Sequence, residues 1–196
     1  MLEAAAHVLV ERGPGGFTTN HVADRAGVSV GSLYQYFPNK AALLLQLHVR
    51  EARHTLICVQ QALQQAGQTP TQRMHNAIRV FFATEAAEAP LRNALARTNT
   101  LFADAPEFKE IEDQARRFVH GFAVTQLQVA EAQAPEAAEL VITVVSSMAE
   151  RVTSQTTEPA ALDYWADCVF NMLMAVLPLP VPDALLQPAS RRKRSR

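Results

Sequence analysis

Cysteines, long apolar runs and targeting segments are scarce in this chain of 196 residues. The two cysteines, Cys58 and Cys168, lie far apart, each within an apolar helical pattern. A disulfide framework or a zinc site needs more ligands at closer spacing, so both thiols are predicted to be reduced and largely buried. No apolar run approaches the ~20 residues of a membrane span, and no secretory signal is recognisable. The chain is therefore expected to be cytoplasmic.

Catalytic motifs are lacking as well. The sequence contains no GxSxG, no HExxH, no glycine-rich loop suited to phosphate and no cluster of cysteine and histidine. Its six histidines are scattered along the chain. We therefore expect no enzyme activity, no cofactor and no metal ion.

Charge is unevenly distributed along the chain. Residues 1–55 hold five basic and four acidic side chains, whereas residues 56–190 hold eight and fifteen. The last six residues, RRKRSR, hold five basic side chains and no acidic one. Residues 1–55 are thus nearly neutral, residues 56–190 are acidic and the last six residues are basic. This distribution predicts that contact with a polyanion is confined to the ends of the chain.

Helical periodicity dominates the remainder, and no stretch shows the sustained alternation of a strand. Apolar residues make up 48% of the chain, enough for a sizeable core. Glycine, proline and hydroxyl residues mark the helix ends. The predicted fold is all-α with about nine helices, at about 2–11, 19–26, 30–37, 40–63, 71–87, 91–102, 106–134, 135–152 and 159–177.

These helices suggest three regions. Residues 1–45 are predicted to form a head of three helices, and residues 46–182 a larger helical body. Residues 183–196 are predicted to be a basic, disordered tail.

The head carries the pattern of a helix-turn-helix. Two short helices flank a turn at Gly27, and in such motifs the second helix lies in the major groove of DNA. Leu33 and Phe37 can anchor the inner face of that helix, while Gly31 allows the backbone to approach DNA closely. Short helix pairs of this kind also occur in other all-α proteins, so the pattern alone leaves a purely structural role open.

The identities of the residues favour DNA binding over a purely structural role. The stretch FTTNHVADRAGVSVGSLYQYFPNKAALL at 17–44 resembles the tetracycline-repressor (TetR) family of bacterial regulators. The resemblance rests on Phe-Thr-Thr, Val-Ala, Ala-Gly-Val-Ser and Gly-x-Leu-Tyr-x-Tyr-Phe, followed by Lys40 and paired leucines. It is dense over residues 2–47; beyond them only the layout of helices agrees.

The resemblance implies roles for individual head residues. Those that correspond to phosphate-contacting positions are Thr19, Tyr36 and Lys40. Those that approach bases or the nearby backbone are Asn20, Val30, Gly31, Ser32, Tyr34 and Gln35. Asn20 and Gln35 have amides that suit adenine edges, and Val30 suits a thymine methyl group.

The chain also departs from the family. Family members usually begin one or two helical turns earlier, often with basic residues, whereas Met1 falls inside the first helix here. The start could be assigned late or the chain truncated. The RRKRSR tail could alternatively supply phosphate attraction, although a solvated, disordered tail is the plainer interpretation.

Two apolar stripes in the body suggest a dimer interface, as the family resemblance implies. They run through 140, 144, 148 and 152 and through 162, 165, 169, 172 and 176. The alternative is that both stripes face only the chain's own core. The interface is predicted to include Val144, Met148, Val152, Trp165, Val169 and Met172.

The resemblance further implies an effector cavity between the middle helices of the body. Such sites are mostly apolar with a few placed polar groups, although phenylalanines at helical spacing also form ordinary core. The candidate lining residues are Phe81, Phe82, Phe102, Phe118, Phe122, Met148 and Arg151. Further polar candidates are His54, His120 and Asn99.

The sequence thus predicts a ligand-responsive DNA-binding regulator. Its expected partners are a palindromic double-stranded operator, a second copy of the chain and an unidentified small molecule, with no membrane partner. A repressor released by its effector is the preferred mechanism, and an activator remains open. The alternative is a small-molecule binding protein whose N-terminal helices serve only as structure.

Overall fold

A computed structural model describes residues 1–95 and 105–177 of the chain. This part forms nine helices and no strand, so the all-α prediction is confirmed. The helices are α1 Leu2–Gly16, α2 Thr19–Ala26, α3 Val30–Tyr36, α4 Lys40–Leu63, α5 Pro70–Ala87, α6 Ala89–Leu95, α7 Pro106–Leu127, α8 Ala134–Thr153 and α9 Pro159–Val176. No helix in these ranges is long and apolar enough to cross a bilayer.

Side-chain caps explain where the early helices begin. The Thr18 hydroxyl accepts a hydrogen bond from the His21 backbone N–H at 3.2 Å. At the start of α3, Ser29 accepts from the Ser32 N–H at 3.0 Å, and Asn39 begins α4 through Oδ1 at 2.8 Å from the Ala42 N–H. Each cap satisfies an N–H that the first helical turn leaves without a backbone partner.

Three helix boundaries differ from the prediction. Helix α7 ends at Leu127 instead of continuing to 134, because Gln128 adopts a left-handed conformation with φ 58°. Helix α6 begins at Ala89, and Pro90 fits within its first turn instead of interrupting the chain. The predicted end of this segment at 102 lies outside the described residues. Helix α1 extends past the predicted end at 11, with a break at Gly13.

The two cysteines are half-buried, not largely buried as predicted. In the described ranges no group of three or more His, Cys, Asp or Glu side chains could hold a metal ion.

The chain divides into two compact units. The first contains Met1–Ile57 and Thr84–Glu112, and the second contains Cys58–Ala83 and the chain from Asp113 onwards. The predicted division after residue 45 stays a prediction, and the predicted tail lies outside the described residues.

Each unit has its own apolar core. The first unit buries a cluster built from the head, the start of α4 and one residue of α6. Its members are Ala5, Val8, Leu9, Phe17, Val22, Leu33, Leu43, Leu44, Leu47 and Leu91. In the second unit the largest buried side chains come from α5, α7, α8 and α9 and include Met74, Ile78, Phe82, Phe122, Val152, Val169 and Leu173. The helices of the head therefore pack around a shared apolar core, which holds the outer surface of the head in a defined arrangement.

Candidate nucleic-acid interface

The turn between α2 and α3 is built on Gly27. This residue has φ 67° and ψ 31°, a left-handed conformation that glycine adopts without steric cost. Its N–H donates to the Asp24 carbonyl, and the Val28 N–H donates to the Ala23 carbonyl at 3.0 Å. This pair of bonds closes the end of α2 and turns the chain into α3 within three residues.

The inner face of α3 packs as the sequence predicts. Leu33 and Val22 are fully buried, and Phe37 packs against the same cluster. Because these side chains hold α3 against α2, the opposite face of α3 is fixed relative to the head.

That opposite face is exposed and polar. Tyr36 is 69% exposed and Tyr34 46%, and Gln35 and Gly31 are also exposed. Val30 and Ser32 are half-buried at the start of the helix, and Asn20 is exposed on α2. The residues that the sequence assigns to DNA thus lie on the surface of one small unit.

Thr19 and Tyr34 are brought together by the fold. Their hydroxyl oxygens lie 3.2 Å apart and share a hydrogen bond across 15 positions of sequence. The bond links the first turn of α2 to the middle of α3, so it fixes the position of a hydroxyl predicted to contact phosphate.

Lys40 is also held in place. Its Nζ donates to the Pro14 carbonyl at 3.0 Å and lies 5.5 Å from the centre of the Phe17 ring. An ammonium carries three N–H donors, so the remaining two stay available to another acceptor. Lys40 is therefore a positioned cation, not a freely rotating surface lysine.

The sequence analysis missed two residues at the edge of this surface. Arg12 Nη1 lies 3.4 Å from His21 Nε2, and His21 Nδ1 lies 3.1 Å from the Gly16 carbonyl. In the sequence, the glycines and proline at 13–16 indicate only the end of a helix. The basic residue directly before them was the available signal.

A half-buried carboxylate lies elsewhere in the first unit. Glu88 accepts a hydrogen bond from His54 Nδ1 at 3.0 Å and another from the Thr55 hydroxyl at 3.5 Å. Burial raises the pKa of Glu88 above its ordinary value, although the contacts with His54 and Thr55 act in the opposite direction.

The residues predicted for the dimer interface fall into three groups. Trp165 and Met172 on α9 are 39% and 44% exposed, whereas Val144 and Met148 are half-buried. Val152 and Val169 are buried by the chain itself. An interface on these helices would therefore centre on the exposed members.

The residues predicted for the effector pocket are also divided. Phe82 and Phe122 are buried, Phe81, Phe118 and Met148 are half-buried, and Arg151 is exposed. Phe102 and Asn99 lie outside the described residues. His120 Nε2 lies 3.9 Å from Glu131 Oε1 within the second unit.

A cavity of about 530 Å³ opens in the second unit at another place. Its lining includes Gln126, Gln133, Met174 and Leu177, and none of the predicted pocket residues is among the side chains around it. Its volume falls in the range of small-molecule sites.

The head matches a family of known proteins. Residues 1–47 match the model of the bacterial regulatory proteins of the tetR family. The first 47 residues are thus similar to the DNA-binding head of that family. The resemblance inferred from the motif is thereby confirmed.

Curated relatives of this chain are regulators by name. The chain is 38% identical over 82 residues to the HTH-type transcriptional activator FasR of Mycolicibacterium smegmatis, covering 42% of this chain and 37% of FasR. It is 35% identical over 124 residues to the HTH-type transcriptional repressor KstR of Mycobacterium tuberculosis, covering 61% of this chain and 53% of KstR. The chain thus spans about a third to a half of their lengths. Neither relative is named as an enzyme, in agreement with the prediction.

Solved structures of transcriptional regulators share the fold over nearly the whole chain. A transcriptional regulator from Rhodococcus sp. RHA1 has a TM-score of 0.69 at 19% identity, covering 92% of this chain and 97% of its own. FadR from Bacillus subtilis, solved with stearoyl-CoA, has a TM-score of 0.67 at 17% identity, covering 88% and 95%. PfmR from Thermus thermophilus has a TM-score of 0.63 at 16% identity, covering 87% and 96%. At these identities the likeness concerns the fold alone.

Proposed function

We propose that this chain is a dimeric transcriptional regulator that reads an inverted-repeat operator and is released from it by a small-molecule effector. The observation that carries the proposal is the head: a Gly27 turn, a buried inner face and an exposed polar face of α3. That combination suits insertion of α3 into the major groove.

In this proposal some residues on the surface of the head contact the DNA backbone and others contact the bases. Thr19, Tyr36 and Lys40 contact phosphates, which sets the position of the head without reading sequence. Asn20 and Gln35 have amides that can pair with adenine edges, and Val30 can contact a thymine methyl group. Gly31, Ser32 and Tyr34 line the approach to the bases.

The proposal includes a dimer because one head reads few bases. Two heads related by a two-fold axis would contact half-sites ~34–36 Å apart, or at multiples of that distance. Trp165 and Met172 on α9, with Leu140 on α8, are large exposed apolar side chains that a second copy could cover.

The effector acts through the equilibrium between two conformations of the dimer. It can shift operator occupancy only as far as its affinities for the two conformations differ, and a near-complete switch needs roughly 10⁴-fold, about 5.5 kcal/mol. The presence of stearoyl-CoA in the FadR structure supports a small molecule as effector. Whether binding of the chain to DNA represses or activates transcription depends on where the operator lies relative to the promoter. We propose repression, in which the bound chain blocks transcription.

A mobility-shift assay with DNA from upstream of the chain's own gene tests this function. We expect the wild-type chain to bind in the presence of excess competitor DNA, and the double variant Tyr36→Ala plus Lys40→Ala to lose binding. The double variant Gln61→Ala plus Gln64→Ala changes two exposed residues at the C-terminal end of α4 and serves as the matched control. If the Tyr36 and Lys40 variant binds as tightly as the control, the head does not read DNA in this way.

The second candidate is a small-molecule binding protein with a structural head. The 530 Å³ cavity in the second unit favours it, because a cavity of that size can hold a ligand without any role for DNA. A wild-type chain that binds a small molecule but no DNA would support this alternative.

A further inference from the structure

The head contains few basic side chains, and they differ in whether they form an ion pair. Residues 1–45 contain three: Arg12, Arg25 and Lys40. Arg25 forms an ion pair with Glu11 at 2.9 Å. Among the described residues, Arg12 and Lys40 contact neutral partners instead, a histidine ring and a backbone carbonyl. Among the described residues these two are therefore the cations of the head that form no ion pair with a carboxylate.

The bonding around His21 settles how Arg12 is held. The Gly16 carbonyl can only accept, so His21 Nδ1 must carry the proton and donate to it at 3.1 Å. His21 Nε2 is then a bare acceptor, and Arg12 Nη1 donates to it at 3.4 Å. The guanidinium uses one of its five N–H donors here, which leaves the others available.

Both cations are anchored by the same short turn. Gly13, with φ 65°, breaks α1 and begins the turn that carries the Pro14 and Gly16 carbonyls. The Pro14 carbonyl binds Lys40, and the Gly16 carbonyl binds the histidine that holds Arg12. The turn thus places Lys40 next to Phe17, just before α2, and Arg12 next to His21 within α2. Backbone N–H groups at the start of a helix favour an anion.

We infer that Arg12 is a second phosphate-binding cation of the head and that His21 is the positioning residue that aims it. Arg12 would bind the DNA backbone alongside Lys40 through a charge-assisted hydrogen bond. His21 acts through Arg12 and need not touch DNA. The inference rests on the proposed function, because it presumes that the head binds DNA.

Salt-dependent binding to random-sequence duplex DNA tests the inference, since a phosphate contact is independent of sequence. Fluorescence anisotropy would compare wild type, Arg12→Gln and the matched control Arg25→Gln. Each phosphate contact contributes about 0.9 to the slope of log affinity against log salt, so loss of Arg12 from both heads of a dimer lowers the slope by about 1.8. At ~0.1 M salt the affinity of Arg12→Gln falls about tenfold or more, while Arg25→Gln changes little.

Three further variants separate the effect of charge from effects on folding and positioning. Arg12→Lys keeps the charge and is expected to restore most of the slope. His21→Leu removes the acceptor and is expected to weaken binding in the wild-type background but to have no added effect in Arg12→Gln. His21→Gln keeps an acceptor near the Nε2 position and should retain more affinity than His21→Leu.

The possible failures are distinguishable. If wild type binds duplex DNA but Arg12→Gln has the slope and affinity of Arg25→Gln, Arg12 is not a phosphate contact. If His21→Leu weakens binding equally in both backgrounds, His21 does not act through Arg12. A wild-type chain that binds no duplex at low salt overturns the proposed function together with this inference.

Discussion

Among single residues, the hydroxyl pair of Thr19 and Tyr34 connects sequence to function most directly. The two oxygens lie 3.2 Å apart, so each orients the other before DNA arrives. Preorganised groups lose less conformational freedom on binding than freely rotating ones. In the proposed regulator the Tyr34 hydroxyl would therefore contribute to operator affinity by holding Thr19 as well as by any contact of its own.

Removal of either hydroxyl should therefore weaken operator binding by coupled amounts. We expect Tyr34→Phe and Thr19→Val each to lower affinity about threefold to tenfold, and the double variant to lose less than the sum of the two free energies. A double-mutant cycle measured by anisotropy on the operator checks this. Fully additive losses would mean that the two hydroxyls act separately.

Glu88 makes stability depend on pH. Burial raises its pKa in the folded chain, so the folded state binds that proton more tightly than the unfolded state. Its contribution to folding is fully present below the ordinary carboxyl pKa and is lost as pH rises through the raised folded value. The carboxylate is therefore a cost to stability near neutral pH.

Glu88→Gln should remove that cost. We expect the variant to unfold at a higher temperature than wild type near neutral pH, and the difference to shrink as the solution is made acidic. Thermal unfolding followed by circular dichroism at several pH values measures it. Glu112→Gln, at an exposed position in the middle of α7, controls for the loss of one negative charge. A difference that grows towards acid would contradict the assigned direction.

At the scale of elements, the helix-turn-helix depends on two glycines with different tasks. Gly27 needs its positive φ to end α2, whereas Gly31 has no positive φ and lies exposed at the start of α3. A Cβ added at Gly27 meets no atom within 4 Å, so a side chain there costs backbone strain and not space. Gly27 therefore determines the turn of the motif, whereas Gly31 leaves the exposed face of α3 without a side chain at that position.

The two corresponding alanine variants should therefore differ in kind. Gly27→Ala is expected to destabilise the chain by about 1 kcal/mol, because an L-residue in the left-handed region costs roughly 1–2 kcal/mol. Gly31→Ala is expected to leave stability nearly unchanged and to weaken operator binding. Urea unfolding and anisotropy on the same samples compare them. Equal loss of stability in both variants would contradict the assignment.

The head could be predicted in detail because its boundaries depend on local chemistry. Thr18, Ser29 and Asn39 are capping residues, and Gly27 is a typical helix terminator. The end of α7 could not be predicted in the same way, since Gln128 adopts a positive φ without being glycine. Contacts between distant residues, such as Thr19 with Tyr34 or Arg12 with His21, depend on packing and have no local pattern.

At the scale of the whole molecule, the proposed dimer rests on exposed apolar side chains of α9. Trp165 and Met172 lie seven residues apart on one side of the helix, and both are about two-fifths exposed. Periodicity predicted these stripes but could not separate exposed members from Val152 and Val169, because both kinds fall at helical spacing.

A charge at Trp165 should prevent association of the two copies. We expect Trp165→Glu to be a monomer at micromolar concentration, since an interface cannot bury a charge without a partner. Ala160→Glu adds the same charge at an exposed position on another side of α9 and is expected to remain a dimer. Sedimentation equilibrium distinguishes the two. If Trp165→Glu is still a dimer, the interface lies elsewhere.

The central claim, that the head reads DNA as a pair, is tested most directly by selection from a pool of random duplexes. We expect wild-type protein to enrich an inverted repeat whose half-sites are spaced by about one helical turn or a multiple of it. Enrichment of no sequence, or of a single half-site without its mirror image, would contradict the account.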